Sequence, residues 1–148
     1  MTNETLLVYC DGGARGNPGP AAAACVIEDR AGKKRVLCGK YLGEATNNQA
    51  EYSAVKLALE VIKRNYQTKR DVKLFLDSDL VVNQLNGFYR VKDPVLRQTA
   101  FEIREIESYL GEVYYQHVNR EENSEADGLV NRVINLKRDF EQTLKTEK

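Results

Sequence analysis

The first third of the chain holds three segments that are rich in apolar residues and have the length of β-strands. Short turn sequences rich in Gly, Asp and Pro separate three such segments, which cover residues 5–10, 21–28 and 33–42. Because the connections are short, we expect these strands to form an antiparallel meander.

At Thr46 the apolar period changes to that of an α-helix. Thr46 and Gln49 fit a capping box at the start of this helix. A short apolar strand is predicted at residues 72–76, and a short helix at residues 80–85 is expected to end at Gly87.

The second half of the chain continues with alternating helices and strands. It is predicted to hold a helix from Asp93 to Gly111, a strand at residues 112–118 and a helix from Ser124 that runs past Leu136. Strands that are separated by helices pair in parallel through right-handed crossovers. The predicted fold class is therefore α/β, with a five-stranded mixed sheet of three antiparallel strands and then two parallel ones, and with helices on both faces.

The length and composition are those of one ordinary globular domain, which we place at residues 1–148. Residues 137–148 form a highly charged tail that we expect to fray. Lys plus Arg and Asp plus Glu both number 22, so the net charge is zero. This balance excludes the strongly basic class of nucleic-acid-binding proteins, and any polyanion would be bound through local patches or metal ions.

The three cysteines lie in apolar or alternating segments and include no C-x-x-C pair. We expect buried free thiols, which suit a reducing cytoplasm. The longest apolar run, residues 21–27, is too short for a signal core or a membrane span, so no membrane association is expected.

Four carboxylates occupy positions that the predicted topology can bring together. Asp11 follows the first strand and Asp77 follows the fourth, while Glu51 lies in the helix that would connect them. Asp127 lies in the first turn of the last helix. If the first and fourth strands are parallel neighbours, all four side chains reach the same edge of the sheet.

Each carboxylate alone has an ordinary structural explanation. Asp11 could belong to a turn, Glu51 to a solvated helix face, Asp77 to a helix cap, and Asp127 to a capping box with Ser124. Together they would repel one another, and such clusters usually serve a divalent cation. Oxygen ligands favour Mg²⁺ or Mn²⁺, and two such ions roughly 3.5–4 Å apart can hold the attacking and leaving oxygens of a phosphodiester.

Four stretches of the sequence together resemble type 1 ribonuclease H, from about residue 6 to about residue 135. They read DGGARGNPGPAA, TNNQAEYSAVKLALE, LDSDLVVNQLNG and VNREENSEADGLVN. The resemblance implies an endonuclease that hydrolyses the RNA strand of an RNA–DNA hybrid and leaves 5′-phosphate and 3′-hydroxyl ends, with double-stranded RNA as a side substrate. It implies that Asp11, Glu51, Asp77 and Asp127 hold two Mg²⁺ or Mn²⁺ ions. We expect no obligate protein partner.

The resemblance also implies the substrate contacts. These are Gly12, Gly13, Ala14 and Asn17 at ribose 2′-hydroxyls, Asn47 and Asn48 in the minor groove, Thr46 at a DNA phosphate, and Gln49 beside it where relatives carry an arginine. We expect the glycines to let the backbone approach the RNA, since a Cβ would stand in the way.

Two features depart from the family pattern. His117, the only histidine, could be the mobile catalytic histidine of some relatives, but its segment alternates like a strand and favours a structural role. In that case Arg120, Glu121 or Glu122 would assist product release. The segment after Gly87 lacks a lysine-rich protrusion, which leaves Arg90, Lys92 and Arg97 as candidate phosphate contacts.

Three other functions compete with this interpretation. Nucleases and integrases of other families share such a sheet and acidic cluster. A hybrid-binding module without catalysis would need no metal, although all four acidic positions are present. A redox or structural protein built around the cysteines has little support from their spacing.

Overall fold

The structure is a computed structural model that describes residues 4–146. The strands are β1 (Leu6–Ala14), β2 (Gly19–Asp29), β3 (Lys34–Ala45), β4 (Val72–Leu76), β5 (Val113–His117) and β6 (Phe140–Lys145). The helices are α1 (Asn47–Asn65), α2 (Asp79–Leu85), α3 (Pro94–Glu107) and α4 (Ser124–Leu136), and a 3₁₀ turn at Arg120–Asn123 leads into α4.

One mixed sheet organises the chain, in the order β5-β4-β1-β2-β3-β6. The pairs β1–β2 and β2–β3 are antiparallel, and the pairs β1–β4 and β4–β5 are parallel. The predicted antiparallel meander of β1, β2 and β3 is confirmed. The two predicted parallel strands, β4 and β5, are confirmed as well. Since α1 connects β3 to β4, it is the crossover that makes β1 and β4 neighbours.

The prediction of five strands and a frayed tail is wrong for residues 140–145. They form β6, which pairs antiparallel with β3 from Gly39↔Phe140 to Lys34↔Lys145. Lys137 adopts a left-handed conformation that ends α4 and turns the chain back. β6 forms hydrogen bonds with backbone groups that the edge of β3 would otherwise expose. The charged side chains of residues 140–145 give no sign of this pairing. Residues 147 and 148 of the predicted tail lie outside the described residues.

Helices cover both faces of the sheet, as expected. The larger core joins α1, α2 and α3 to the side chains of one face, including Leu6, Val8 and Leu74. The smaller core packs α4 against Ala22 and Ala24 on the other face. These alanines leave room for α4 to lie close to β2, which matters because α4 carries Asp127.

Most predicted helix boundaries are confirmed within a few residues. The capping box of α1 is formed, since the Gln49 N–H donates to the Thr46 hydroxyl at 3.1 Å and the Thr46 N–H donates to the Gln49 side-chain oxygen at 2.9 Å. α3 ends at Glu107 rather than Gly111, because residues 108–111 form tight turns.

The cysteines are buried free thiols, as predicted. Cys25 faces Cys10 on one neighbouring strand and Cys38 on the other. Within residues 4–146, no helix has both the length and the apolar character that crossing a membrane requires.

Candidate active site

The parallel strands β1 and β4 bring the first two predicted carboxylates side by side. Their last paired residues are Cys10 and Leu76, and Asp11 and Asp77 follow directly. Asp11 does not end its strand, because β1 continues to Ala14 against β2. Asp11 is nonetheless 6% exposed, so it is an acidic side chain buried within a sheet.

Glu51 reaches the same place because α1 lies unusually close to β1 at Gly12. A Cβ on Gly12 would lie 2.1 Å from the Ala50 carbonyl oxygen and 2.5 Å from the Glu51 nitrogen. The absent side chain therefore makes room for the helix. That the backbone at Gly12 also contacts RNA stays a prediction. On Gly13 a Cβ would meet only Val130, at an ordinary 3.7 Å.

The ordinary structural explanations do not hold for the aspartates. Asp11 lies in a strand rather than a turn. The residue that caps α2 is Ser78, whose hydroxyl accepts from the Val81 N–H at 3.3 Å, so Asp77 is not the cap. Asp127 is not in a capping box with Ser124, since α4 is preceded by Asn123 and has no side-chain cap.

All four carboxylates line one cleft of about 420 Å³. The other lining residues are Gly12, Gly13, Ala14, Arg15, Asn47, Arg120, Val130, Asn131 and Ile134. The structure therefore brings together the four acidic residues that the sequence singles out, along with part of the glycine-rich segment.

Burial and mutual repulsion raise the pKa values of three carboxyl groups in the cleft. Burial and the negative charge of Asp77 raise the pKa of Asp11 to about 8, with a contribution from its hydrogen bond to Asp127. Burial and Asp77 raise the pKa of Glu51 to about 7. Burial also raises the pKa of Asp77, although Arg120, whose Nε lies 4.0 Å from the Asp77 Oδ2, opposes this shift.

The donors in the cleft fit a hard divalent cation. They are carboxylate oxygens, which Mg²⁺ and Mn²⁺ prefer. Burial and the negative charge of Asp77 raise the pKa of both Asp11 and Glu51, so a bound cation would stabilise their charged forms. Among residues 4–146, no three His, Cys, Asp or Glu side chains already surround one ion position. A Mg²⁺ ion bound here would complete its coordination with water molecules, as it usually does in proteins.

Of the candidate assisting residues, Arg120 lines the cleft and His117 does not. His117 is the exposed last residue of β5, paired in register with Leu76, so the predicted strand at this point is confirmed. Arg120 extends from the 3₁₀ turn with 87% of its side chain exposed. Glu121 is exposed in the same turn and is not among the residues that line the cleft.

Asn47 joins the glycine-rich segment to the start of α1. Its side-chain oxygen accepts from the Ala14 N–H at 2.9 Å, and its backbone N–H donates to the Asn17 side chain at 3.0 Å. These bonds connect Asn17 to Ala14 and Asn47, which line the cleft. We call these three residues the polar rim. Asn48 lies half-buried beside this rim, whereas the side-chain oxygen of Gln49 is engaged in the capping box.

Sequence reasoning missed the wall that α4 contributes. Val130, Asn131 and Ile134 follow Asp127 at helical spacing, and this signal could have placed them on the same face. Arg15 was missed as well. It donates to the Asn135 side chain at 2.6 Å and to the Asn131 carbonyl at 3.4 Å, which attaches the glycine-rich segment to α4.

The raised pKa values predict how the stability of the metal-free protein depends on pH. Between pH 4 and 8 the folded protein keeps protons on Asp11 and Glu51 that the unfolded chain releases near their ordinary pKa values of about 4. The free energy of unfolding should therefore fall as the pH rises through this range. Urea denaturation in the presence of a chelator, at pH 5.5 and pH 8, measures the change.

Asp11→Asn is the matched variant for this test, because its side chain cannot titrate. Its free energy of unfolding should decline less between the two pH values than that of the unmodified protein. Equal declines, or an unmodified protein that is more stable at pH 8, would contradict the electrostatic description of the cleft.

Comparison with known proteins identifies relatives in sequence and in fold. Residues 9–133 match the family described as reverse transcriptase-like. The ribonuclease HI of Halobacterium salinarum is 40% identical over 126 residues, which cover 85% of this chain and 62% of that protein. The chain thus spans less than two thirds of this curated relative.

Solved structures match more completely. The crystal structure of the Halobacterium salinarum RNase H1 has a TM-score of 0.81 at 38% identity, covering 88% of this chain and 98% of that one. LC11-RNase H1, solved in complex with an RNA/DNA hybrid, has a TM-score of 0.80 at 38% identity, covering 89% of this chain and 98% of that one.

Proposed function

Because the chain belongs to the type 1 ribonuclease H family, we propose that it is an endoribonuclease that hydrolyses the RNA strand of RNA–DNA hybrids. The products are 5′-phosphate and 3′-hydroxyl ends. The observation that carries the proposal is the convergence of Asp11, Glu51, Asp77 and Asp127 in one cleft.

The proposal assigns the four carboxylates to two divalent ions, Mg²⁺ or Mn²⁺. The chemistry that such ions supply when bound is activation of a water molecule and neutralisation of the leaving oxygen. The chain holds the ligands on different elements, with Asp11 on β1, Glu51 on α1 and Asp127 on α4. Each is fixed by packing of the element that carries it, so the ligand set depends on how α1 and α4 dock on the sheet.

The polar rim and the neighbouring Asn48 provide the proposed RNA contacts. Asn17, Asn47 and Asn48 offer amide groups that can pair with ribose 2′-hydroxyls and base edges in a minor groove, which is how a protein distinguishes RNA from DNA. Thr46, at the start of α1, lies where backbone N–H groups favour an anion such as a DNA phosphate. LC11-RNase H1, which has been solved with an RNA/DNA hybrid, supports the same class of substrate for this chain.

Cleavage assays on matched duplexes test the proposal. The same sequence is prepared as an RNA–DNA hybrid, duplex RNA and duplex DNA, each labelled at the 5′ end and incubated with Mg²⁺ or Mn²⁺. We expect rapid cleavage of the RNA strand of the hybrid, slower cleavage of duplex RNA and none of duplex DNA. Preferential cleavage of duplex DNA would favour another nuclease family, and absence of cleavage at every metal concentration would favour a binding module.

We also propose that Arg120, rather than His117, assists turnover, because Arg120 lines the cleft and reaches toward Asp77. Arg120→Ala should lower kcat about tenfold, as loss of a positioned group of this kind costs about 1.4 kcal/mol or more. His117→Ala should stay close to the unmodified enzyme in steady-state assays from pH 6 to pH 9. A larger loss in the His117 variant, or a changed pH profile, would reverse the assignment.

The cellular setting follows from the same proposal. Three buried free thiols suit a reducing compartment, and we place the enzyme in the cytoplasm. The cleft takes its four carboxylates from a single chain, so hybrid cleavage by this chain is proposed to need no protein partner.

A further inference from the structure

Asn123 is a buried side chain that the proposed reaction does not use. It is 1% exposed and lies directly before α4. Its side-chain nitrogen donates a hydrogen bond of 2.6 Å to the Cys10 carbonyl, 113 positions earlier in the chain. Cys10 precedes Asp11, and Asn123 lies four positions before Asp127, so one hydrogen bond joins the backbones that carry two of the carboxylates.

The orientation of the Asn123 amide leaves its side-chain oxygen without a hydrogen bond from residues 4–146, including the bond that would cap α4. An asparagine before a helix usually caps it through its side-chain oxygen, yet α4 has no side-chain cap. That oxygen is buried, and none of residues 4–146 donates a hydrogen bond to it. If the amide were turned over, its oxygen would face the Cys10 carbonyl oxygen and the hydrogen bond would be lost. The observed orientation therefore keeps the bond to Cys10 and leaves the side-chain oxygen unpartnered among residues 4–146.

We propose that Asn123 is a positioning residue that sets the separation of Asp11 and Asp127 for divalent-metal binding. The inference rests on the proposed function. Asp11 and Asp127 already lie within hydrogen-bond reach of each other. Since no three ligands surround an ion position beforehand, the spacing of the backbones that carry them limits which arrangements the side chains can reach. Groups that orient metal ligands by a direct hydrogen bond typically contribute about 10- to 100-fold to metal affinity. Asn123 would act through the Cys10 carbonyl, one residue before Asp11.

Asn86 offers a matched control. Its side-chain nitrogen donates to the Tyr115 carbonyl at 3.1 Å, so it also joins a helix end to a strand, but it does not line the carboxylate cleft. Loss of either amide removes one side-chain-to-carbonyl hydrogen bond, which is buried at Asn123 and part-buried at Asn86. If Asn123 only stabilises the fold, folded Asn123→Ala protein binds metal as Asn86→Ala does.

The test is Mn²⁺ binding by the full chain, measured by calorimetry for the unmodified protein, Asn123→Ala and Asn86→Ala. We expect a dissociation constant at least about tenfold weaker in Asn123→Ala and unchanged in Asn86→Ala. The Mn²⁺ concentration for half-maximal hybrid cleavage should rise in parallel, with the KM for the hybrid unchanged. Equal Mn²⁺ affinity in the two variants overturns the inference, while absence of Mn²⁺ binding by the unmodified protein overturns the proposed function with it.

A measurement on the unmodified protein covers the case in which Asn123→Ala does not fold. In NMR spectra we expect the Asn123 side-chain amide resonances to move during Mg²⁺ titration together with the backbone amides of Asp11 and Asp127. The Asn86 side-chain resonances should stay in place. Asn123 resonances that stay in place while those of Asp11 move would overturn the inference alone.

Discussion

Asp77→Asn is expected to lower hydrolysis of an RNA–DNA hybrid at least about 10³-fold while leaving the fold intact. The substitution removes a metal ligand and a negative charge worth several kcal/mol in the proposed reaction, and each 1.4 kcal/mol changes the rate about tenfold. The fold should persist because Asp77 follows the last β1–β4 pair and caps no helix. Single-turnover cleavage of a labelled hybrid with Mg²⁺, beside a circular dichroism melt, measures both effects.

Asp79→Asn is the matched control, since it removes the same charge from an exposed position two residues later. Its cleavage rate should equal that of the unmodified protein. Asp11→Asn should behave like Asp77→Asn. Normal turnover in Asp77→Asn, or a comparable loss in Asp79→Asn, would refute the assignment of Asp77 to the reaction.

Gly12→Ala should destabilise the protein by about 2–3 kcal/mol or more, the range in which overpacked sites fall. The added methyl group would overlap the Ala50 carbonyl, which is backbone and cannot rotate away. α1 must then move off β1 and take Glu51 with it, so hybrid cleavage should fall as well. Urea denaturation of the metal-free protein gives the change in stability.

Gly13→Ala separates this effect from a general need for glycine in the segment. Its methyl group would meet Val130 at an ordinary distance of 3.7 Å, and the free energy of unfolding should stay within about 1 kcal/mol of that of the unmodified protein. If Gly12→Ala is as stable as Gly13→Ala, the close approach of α1 to β1 is not what positions Glu51.

The sequence was sufficient to predict the arrangement of the sheet because each signal there is local. Strand and helix periods differ, and a helix between two strands implies a parallel crossover, so the proximity of Asp11 and Asp77 followed from topology. The capping box of Thr46 and Gln49 was predictable for the same reason. Such signals need no knowledge of the tertiary packing.

The features that the sequence did not reveal depend on contacts between distant segments. β6 forms because the edge of β3 offers unpaired backbone groups. This cause does not depend on the side chains of residues 140–145, so their sequence pattern does not predict the strand. Gly12 was attributed to substrate approach because its close neighbour, the backbone of α1, lies 38 positions away in the chain. The bond from Asn123 to Cys10 could not be predicted, since an asparagine before a helix is usually a cap.

The most direct test of the account is a crystal structure of the protein with Mn²⁺, whose anomalous scattering locates the ions. The account predicts two Mn²⁺ ions in the cleft, with oxygens of Asp11, Glu51, Asp77 and Asp127 as ligands. Mn²⁺ bound elsewhere on the chain, with these four carboxylates left uncoordinated, would contradict it.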